Sequence, residues 1–457
     1  MPPAWTSGEA EARIATKRLT AASSWTRTLS QENPSDRPAA AEVSIGGYAA
    51  FRYRDFRRFI LGRALGYSAH QVLLVAVAYQ IYDQTGDAIS LAFLNLAIVL
   101  PVMICFPYTG YVADHVDRGK VIVAGYSIKA GAVAILALIT ALDWPVSWIH
   151  YALLLGIGTA RAFYAPTSNA YVPNLVPVEV LPNAIALNSS IAKTTQLCGP
   201  AAGGFLYLLG PELVYATIVV AFVAGIAATA QITSRGAAAK KAPADLRSLF
   251  GGFRYVVERK IVRGAMAVDF LTMFMGSLPT MLPIFAKDIL DVGPAGAGIL
   301  RSSIAGGGLV AALLLAHFSI GWQAGAKMLW GAALFGLSII VFGLSTSFLL
   351  STIALAAVGV SEAINVNIRH TILQIATPDS MRGRVSAVNS LSSNAGSELG
   401  GFRAGLFTAI MGPVEAVVVG GVVVLAVAIG SFKIFPDLAK VDRLDRMLDE
   451  PTVRSAS

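Results

Sequence analysis

The sequence predicts an all-α membrane protein with twelve transmembrane helices in two six-helix halves. Three observations support this prediction: 55% of the 457 residues are hydrophobic and only 14% are charged, long apolar runs recur along the chain, and Lys and Arg gather in alternate loops. Soluble domains carry about 25% charged residues, and about 20 apolar helical residues cross a bilayer core of about 30 Å. The composition therefore excludes an ordinary soluble enzyme.

The predicted spans lie on either side of the polar segment 234–262. The first half, 59–233, contains spans at 59–82, 89–112, 119–142, 146–168, 183–209 and 211–233. The second half, 263–435, contains spans at 263–287, 296–320, 325–345, 348–375, 383–410 and 412–435. Residues 1–58 form a Pro-, Ala- and Ser-rich tail that lacks the apolar content to fold alone, and residues 436–457 form a second tail.

The distribution of Lys and Arg sets the predicted orientation, because cationic loops are retained on the cytoplasmic side. The loops after spans 1, 3, 5, 9 and 11 contain no Lys or Arg, and the loop after span 7 contains Lys287. The opposite loops carry most of the basic residues, so both termini are expected to be cytoplasmic. This asymmetry explains the net charge of +8, with anionic lipid head groups as its partner and no nucleic acid.

Segment 234–262 contains LRSLFGGFRYVVERKIV, in which one helical face is apolar and the other is basic. This pattern is typical of a helix lying in the membrane interface. The apolar stripe consists of Leu246, Leu249, Phe250, Phe253, Val256 and Val257. We therefore interpret this segment as a cytoplasmic linker with an amphipathic helix.

The two halves match each other when the chain is shifted by 201 residues, in the region that enters spans 5 and 11. Parallel six-helix repeats of this kind build many secondary transporters. Both members also carry glycines spaced four apart, Gly199/Gly203 and Gly401/Gly405, which let helices approach closely. The identities are Pro177/Pro378, Ala186/Ala387, Asn188/Asn389, Ser189/Ser390, Gly199/Gly400 and Gly204/Gly405.

The loop between spans 2 and 3 reads GYVADHVDRGK, residues 110–120. Its pattern G-x-x-A-D-x-x-D-R-G-K resembles the hallmark loop of the major facilitator superfamily. The resemblance implies a gate loop of Gly110, Asp114, Arg118 and Lys120, with Asp114 near the start of span 11, where the helix dipole favours an anion. The counterpart after span 8, HFSIGWQAGAK, contains no acidic residue, so the latch is expected to be one-sided. A charged loop that only sets topology is the alternative.

Span 5 contains GPAAGG, whose Gly199, Pro200, Gly203 and Gly204 resemble the end of a motif that marks proton-coupled antiporters in the superfamily. Pro200 cannot donate a backbone hydrogen bond and would bend the span. The glycines that the family places further upstream are absent. LVPVEVLPNAIALNS and YQIYDQTGDAISLAF look like the bacterial exporter subgroup that includes the enterobactin exporter, and this resemblance covers nearly all of residues 50–435.

Ionisable residues inside spans are costly and usually face a cavity. The superfamily architecture implies that spans 1, 4, 7 and 10 line that cavity, which favours His70, Arg161, Asp269 and Glu362 as cavity groups. Further candidates are Arg369, together with Lys193 and Glu398, which could neutralise one another or other partners. Buried ion pairs that fix helix register are the alternative. Glu362 is the first candidate for proton coupling, because a buried carboxyl group can exchange protons during a cycle, and His70 is the second.

The sequence contains no GxxxxGK[ST], HExxH, CxxC or CxxCH motif, so we expect no cofactor, no metal and no enzymatic reaction. The predicted function is proton-coupled export of a small amphipathic organic molecule, siderophore or drug-like, by a monomer in a bacterial inner membrane. Two alternatives remain: uniport or uptake of a solute or lipid-like species, and a membrane sensor that transports nothing.

Overall fold

The computed structural model describes residues 48–233, 246–317 and 323–441, without the side chains of residues 107, 111, 113, 114 and 246–250. The chain divides into two compact units, 1–49 and 50–457. The first unit is described only at Tyr48 and Ala49, and the helices named below belong to the second. Its division into two halves at 234–262 stays a prediction.

All regular structure in the described ranges is helical. Before residue 234 the helices are α1 (Arg54–Thr85), α2 (Ala88–His115), α3 (Arg118–Ala141), α4 (Trp148–Tyr171), α5 (Leu181–Tyr207) and α6 (Pro211–Ala230). After residue 245 they are α7 (Leu246–Glu258), α8 (Lys260–Gly276), α9 (Leu282–Ile284, continued by the π-helical turn Phe285–Ile289), α10 (Gly293–His317), α11 (Ala324–Leu344), α12 (Phe348–Ala376), α13 (Asp379–Met411), α14 (Pro413–Ile434) and α15 (Pro436–Ala439). Helix therefore overlies every predicted span.

Turn residues explain where several helices meet. Gly86 ends α1 with a φ of 61°, which glycine adopts without steric cost, and the carboxylate of Asp87 accepts a hydrogen bond from the backbone N–H of Ile89 to cap α2. The α5–α6 and α13–α14 turns share one chemistry, since Gly210 and Gly412 have positive φ and each is followed by proline.

Eight helices of the described ranges are long and apolar enough to cross a membrane, and α4 and α5, bent by 120° at the break between them, make a ninth if counted as one broken span. The predicted count of twelve spans is therefore not established by length and composition. Helices α5 and α13 are among those not counted. They carry polar residues such as Ser190, Thr194 and Ser397 into a central cavity. These polar residues lower the mean hydropathy of both helices.

The predicted span 263–287 is not one continuous helix. Helix α8 ends at Gly276 and α9 begins at Leu282, and Pro279 lies within the break. Arg403 of α13 donates hydrogen bonds to the carbonyl oxygens of Phe274 and Met275, at 3.1 and 2.8 Å, and so caps the last turn of α8. Span 7 is thus two rigid pieces joined by a five-residue connection.

We call the end of the bundle where α1 ends at Thr85 the far face. A Cβ on Gly204 would lie 2.3 Å from the carbonyl oxygen of Pro294, and one on Gly405 would lie 2.7 Å from the Cβ of Ala92. Helix α5 therefore packs tightly against α10, and α13 against α2. Both glycines belong to the internal repeat, so equivalent residues make equivalent close contacts at this face.

Large apolar side chains cover the outside of the bundle, as lipid contact requires. Ile104, Val220, Trp330, Leu349 and Ile410 are among those with more than half of their surface exposed.

The predicted linker helix is present as α7, which lies against α13, since a Cβ on Gly252 would approach the carbonyl oxygen of Arg384 to 2.9 Å. Phe253 and Val257 of its apolar stripe are exposed. The side chains of Leu246, Leu249 and Phe250 lie outside the described residues. Helix α1 begins at Arg54 rather than at 59, because the polar residues before the apolar run continue the helix.

Candidate functional site

A cavity of about 1160 Å³ lies at the centre of the bundle. Its wall contains residues from helices before residue 234 and from helices after residue 245. Along α12 the wall extends from Val358 to Gln374, two residues before that helix ends, and His370 and Gln374 are exposed there. The cavity is large enough for a drug-sized molecule.

The cavity wall is rich in ionisable groups for a space inside an apolar bundle. Within the described residues, four basic side chains and two histidines face two carboxylates. These wall residues are His70, Lys129, Arg161, Lys193, Arg301, Glu362, His370 and Glu398. With neutral histidines the cavity therefore carries a positive excess.

Of the residues selected from the sequence, His70, Arg161, Lys193, Glu362 and Glu398 all lie in this wall. Lys193 and Glu398 have separate partners, which is the second of the two possibilities that the sequence left open. Glu398 forms its ion pair with Arg161, at 2.9 Å, and Lys193 is instead the charged group that acts on Glu362. The Arg161–Glu398 pair joins α4 to α13 across the cavity.

For Asp269 and Arg369 the structure shows the alternative, a buried ion pair, rather than two cavity groups. Both side chains are only 3% exposed, and they form a buried ion pair outside the cavity wall. The hydroxyl of Ser393 donates to Asp269 at 2.9 Å and accepts from Arg369 at 2.7 Å. Helix α8 turns Asp269 towards α12 and α13, so the expectation that Asp269 is a cavity group is corrected to a charge pair between helices.

Two basic wall residues, Lys129 and Arg301, were missed in the sequence analysis. Lys129 is 1% exposed, and its Nζ lies 4.7 Å from the centre of the Tyr164 ring. Both residues lie well inside apolar runs of α3 and α10. The signal that identifies Glu362 is an ionisable residue inside an apolar span. The same signal marks Lys129 and Arg301.

The coupling between Arg161 and Glu398 should be small. Their side chains are 31% and 22% exposed, so solvent screens the pair, and we expect a coupling free energy of about 1 kcal/mol or less. A double-mutant cycle of Arg161→Gln and Glu398→Gln, with unfolding of the purified protein followed in SDS, measures it. A coupling several times larger would show that the pair is better shielded from water than its exposure indicates.

The model of one protein family, described as transmembrane secretion effector, matches residues 45–455, almost the whole chain. This chain belongs to the transmembrane secretion effector family of bacterial exporters in the major facilitator superfamily. Macrolide efflux protein A of Streptococcus pyogenes is 24% identical over 84% of the chain and 96% of its own length. Enterobactin exporter EntS of Escherichia coli O1:K1 is 26% identical over 82% of the chain and 90% of its own length.

Solved structures show the same fold. A bacterial homologue of the human lysosomal transporter Spinster superposes with a TM-score of 0.66 at 16% identity, covering 85% of this chain and 98% of that chain. The nucleoside transporter NupG gives a TM-score of 0.68 at 13% identity, covering 83% of this chain and 99% of that chain. The protein is thus a membrane transporter of the major facilitator type.

The segment predicted to be a gate loop, 110–120, consists of the last turns of α2, a two-residue connection and the start of α3. Arg118 donates to the side-chain oxygen of Asn174 and to the carbonyl oxygen of Ala170, at 2.5 and 2.9 Å. These acceptors stand at and just beyond the end of α4. Gly110 lies in the last turns of α2 and Lys120 is exposed. The side chain of Asp114 lies outside the described residues, so its latch to span 11 stays a prediction.

In the transporter's α5, the GPAAGG sequence forms two packing surfaces. Cβ atoms on Gly199 and Gly203 would approach Gln71 and Val72 of α1, at 2.6 and 3.1 Å, whereas Gly204 faces α10. The backbone N–H of Ala201 donates to the hydroxyl of Ser302, at 3.0 Å. Pro200 stands inside the helix and lines the cavity. The antiport role of this motif stays a prediction.

Side-chain contacts also close the transporter at the far face. Lys287 forms an ion pair with Asp83, at 2.5 Å, and the hydroxyl of Tyr82 donates to Asp288. Together with the contacts of Gly204 and Gly405, these bonds join α1 to α9, α5 to α10 and α2 to α13 at this face. The cavity's exposed wall lies at the opposite end, near Gln374.

Proposed function

We propose that this transporter is a proton-coupled exporter of a small amphipathic organic molecule, siderophore or drug-like, that works by alternating access. The observation that carries the proposal is the large cavity between the helices of the two sequence segments, with Glu362 and His70 in its wall. A site between two bodies can be exposed to either face when those bodies rock. The relatives named for efflux and export support the outward direction.

The proposed membrane arrangement is that of the sequence analysis. Twelve spans form two six-helix halves, 59–233 and 263–435, with both termini on the cytoplasmic side of a bacterial inner membrane, and the protein acts as a monomer. The helices that overlie every predicted span support this arrangement, as does the basic character of alternate loops. In this orientation the far face is external, and the contacts that close it belong to a state open to the cytoplasm.

Glu362 is the proposed proton carrier. It lies in the wall of a cavity within an apolar bundle, where the neutral carboxylic acid costs less than the carboxylate. Lys193 is the charged group that acts on it. Deprotonation towards the cytoplasm would leave a carboxylate that attracts Lys193 across the cavity. Proton exchange at Glu362 thereby changes the attraction between α5 and α12, which belong to different proposed halves.

The test is proton efflux from everted membrane vesicles energised to be acid inside, on addition of a panel of siderophores and amphipathic drugs. We expect cargo-dependent efflux with the wild type and with Glu212→Gln, a matched control at an exposed glutamate outside the cavity. Glu362→Gln should abolish it, because the amide cannot release a proton.

Unchanged efflux in Glu362→Gln would assign coupling to another group, with His70 next to be tested. Transport of cargo without any proton movement would indicate uniport. Cargo that binds but never crosses the membrane would indicate a sensor.

A further inference from the structure

Lys129 is a fully buried lysine in the wall of the cavity. It is 1% exposed, it lies midway along α3, and it lines the cavity. Among the residues that the structure describes, no carboxylate lies within ion-pair distance of it. Lysine is almost never fully buried without a partner, so this position calls for an explanation.

Aromatic rings hold the ammonium group in place. The Nζ of Lys129 lies 4.7 Å from the centre of the Tyr164 ring and 6.0 Å from that of Phe222, within reach of an attractive cation–π interaction. The hydroxyl of Tyr126 donates to that of Tyr164, at 2.9 Å, and this bond helps to fix the Tyr164 ring. The cradle orients the ammonium group but supplies no negative charge.

His70 of α1 belongs to the same electrostatic cluster. It is 7% exposed, it lines the cavity, and its Nδ1 has no hydrogen-bond partner in the described part of the chain. Lys129, Arg161 and Arg301 all act on it electrostatically. A buried ring nitrogen without a hydrogen-bond partner and a buried lysine without a carboxylate partner thus lie in the same cavity wall, which leaves polar capacity to spare.

The two carboxylates of the wall are engaged elsewhere. Glu398 is bound to Arg161 and also acts on Arg301, while Glu362 is the carboxylate on which Lys193 acts. Neither carboxylate is among the groups that act on Lys129, where Arg161 is the charged neighbour. An anionic group on a molecule that enters the cavity would therefore be the counter-charge that Lys129 lacks.

We propose that Lys129 and His70 form the anion-binding end of the cargo site, so that the cargo is an amphiphile carrying a carboxylate or a comparable organic anion. The inference rests on the proposed transport function and names its substrate class. Apolar wall residues supply the rest of the site: Leu74, Leu94, Ile98 and Leu278. One end of the cargo is thus charged and the other apolar.

The experiment compares binding of 2-naphthoate and of its neutral isostere 2-naphthamide to the purified full-length protein in phosphatidylcholine nanodiscs, by equilibrium dialysis. The wild type should prefer naphthoate. Lys129→Gln should reduce that preference about tenfold or more, because the affinity for naphthoate falls far more than the affinity for naphthamide. Lys129→Arg, which keeps the charge, should retain most of the preference. Lys433→Gln, at an exposed lysine outside the cavity, is the matched control.

A preference that survives in Lys129→Gln, or an equal affinity of the wild type for both compounds, would overturn the proposal. Misfolding is recognised separately, because it would remove naphthamide binding as well, and His70→Gln then provides the second variant. Since the assay involves no proton gradient, absence of proton coupling in vesicles would leave this result standing. Loss of the anion preference would likewise not contradict the export proposal, which the vesicle experiment tests.

Discussion

Replacing Gly204 by alanine should slow transport about tenfold or more while the protein stays folded. The added Cβ would lie 2.3 Å from the carbonyl oxygen of Pro294 and 3.1 Å from the Cα atoms of Ala295 and Gly298. Backbone atoms cannot move aside as a flexible side chain would, so α5 and α10 must separate. Such overpacking costs about 1–3 kcal/mol, which lowers the population of the state closed at the far face about tenfold or more.

The matched control is Gly307→Ala, where a Cβ would lie 1.8 Å from the carbonyl oxygen of Ala356. This contact joins α10 to α12, two helices of the same proposed half, which the proposed rocking motion would leave packed together. Gly307→Ala should therefore lower thermal stability, whereas Gly204→Ala should leave the state open at the far face as stable as before. Cargo uptake by vesicles and thermal unfolding of the purified variants distinguish the two. Normal transport by Gly204→Ala would show that α5 and α10 need not close to this distance.

Replacing Asp269 by asparagine should destabilise the protein by about 3–5 kcal/mol, because it leaves the buried guanidinium of Arg369 without a counter-charge. Both side chains are 3% exposed, and Ser393 joins them. The double variant Asp269→Leu/Arg369→Met removes both charges and should recover most of the loss. The measurement is the fraction of monodisperse protein that survives heating, followed by size-exclusion chromatography.

Asp83→Asn makes the same chemical change in an exposed ion pair and serves as the control. Asp83 is 49% exposed and Lys287 is 36% exposed, so its loss should cost less than about 1 kcal/mol of stability. Equal stability of Asp269→Asn and Asp83→Asn would contradict the view that the buried pair fixes the packing of α8 against α12 and α13.

The helices could be predicted from sequence because each apolar run has the length of a span, and the ends follow from local turn chemistry such as Gly86–Asp87. The break in span 7 was missed, since Leu278, Pro279 and Met281 keep the run apolar while Gly276 and Pro279 interrupt the helix. Hydropathy depends only on composition and does not detect such interruptions.

The sequence identified ionisable residues that lie in the cavity wall, but it left their partners open. His70 and Glu362 were found because an ionisable residue in an apolar run is rare. The partner of Glu398 could not be predicted, because Arg161 is 237 residues away in the chain. The direction in which the Asp269 side chain points depends on the rotation of α8 against its neighbours. This rotation is decided by packing between helices and cannot be predicted from the local sequence.

The break in span 7 also makes the connection between α8 and α9, residues 277–281, a local indicator of conformational change. The connection between α8 and α9 is bonded on one side to α2, where Asn95 donates to the hydroxyl of Thr280 at 2.8 Å, and on the other side Arg403 clamps the last turn of α8. In the proposed alternating-access cycle, separation of α2 from α13 at the far face would break the Asn95 bond and leave the clamp in place. Deuterium exchange at the amides of residues 277–281, other than Pro279, should therefore be faster during cargo transport than in the resting protein, while exchange in α8 stays the same.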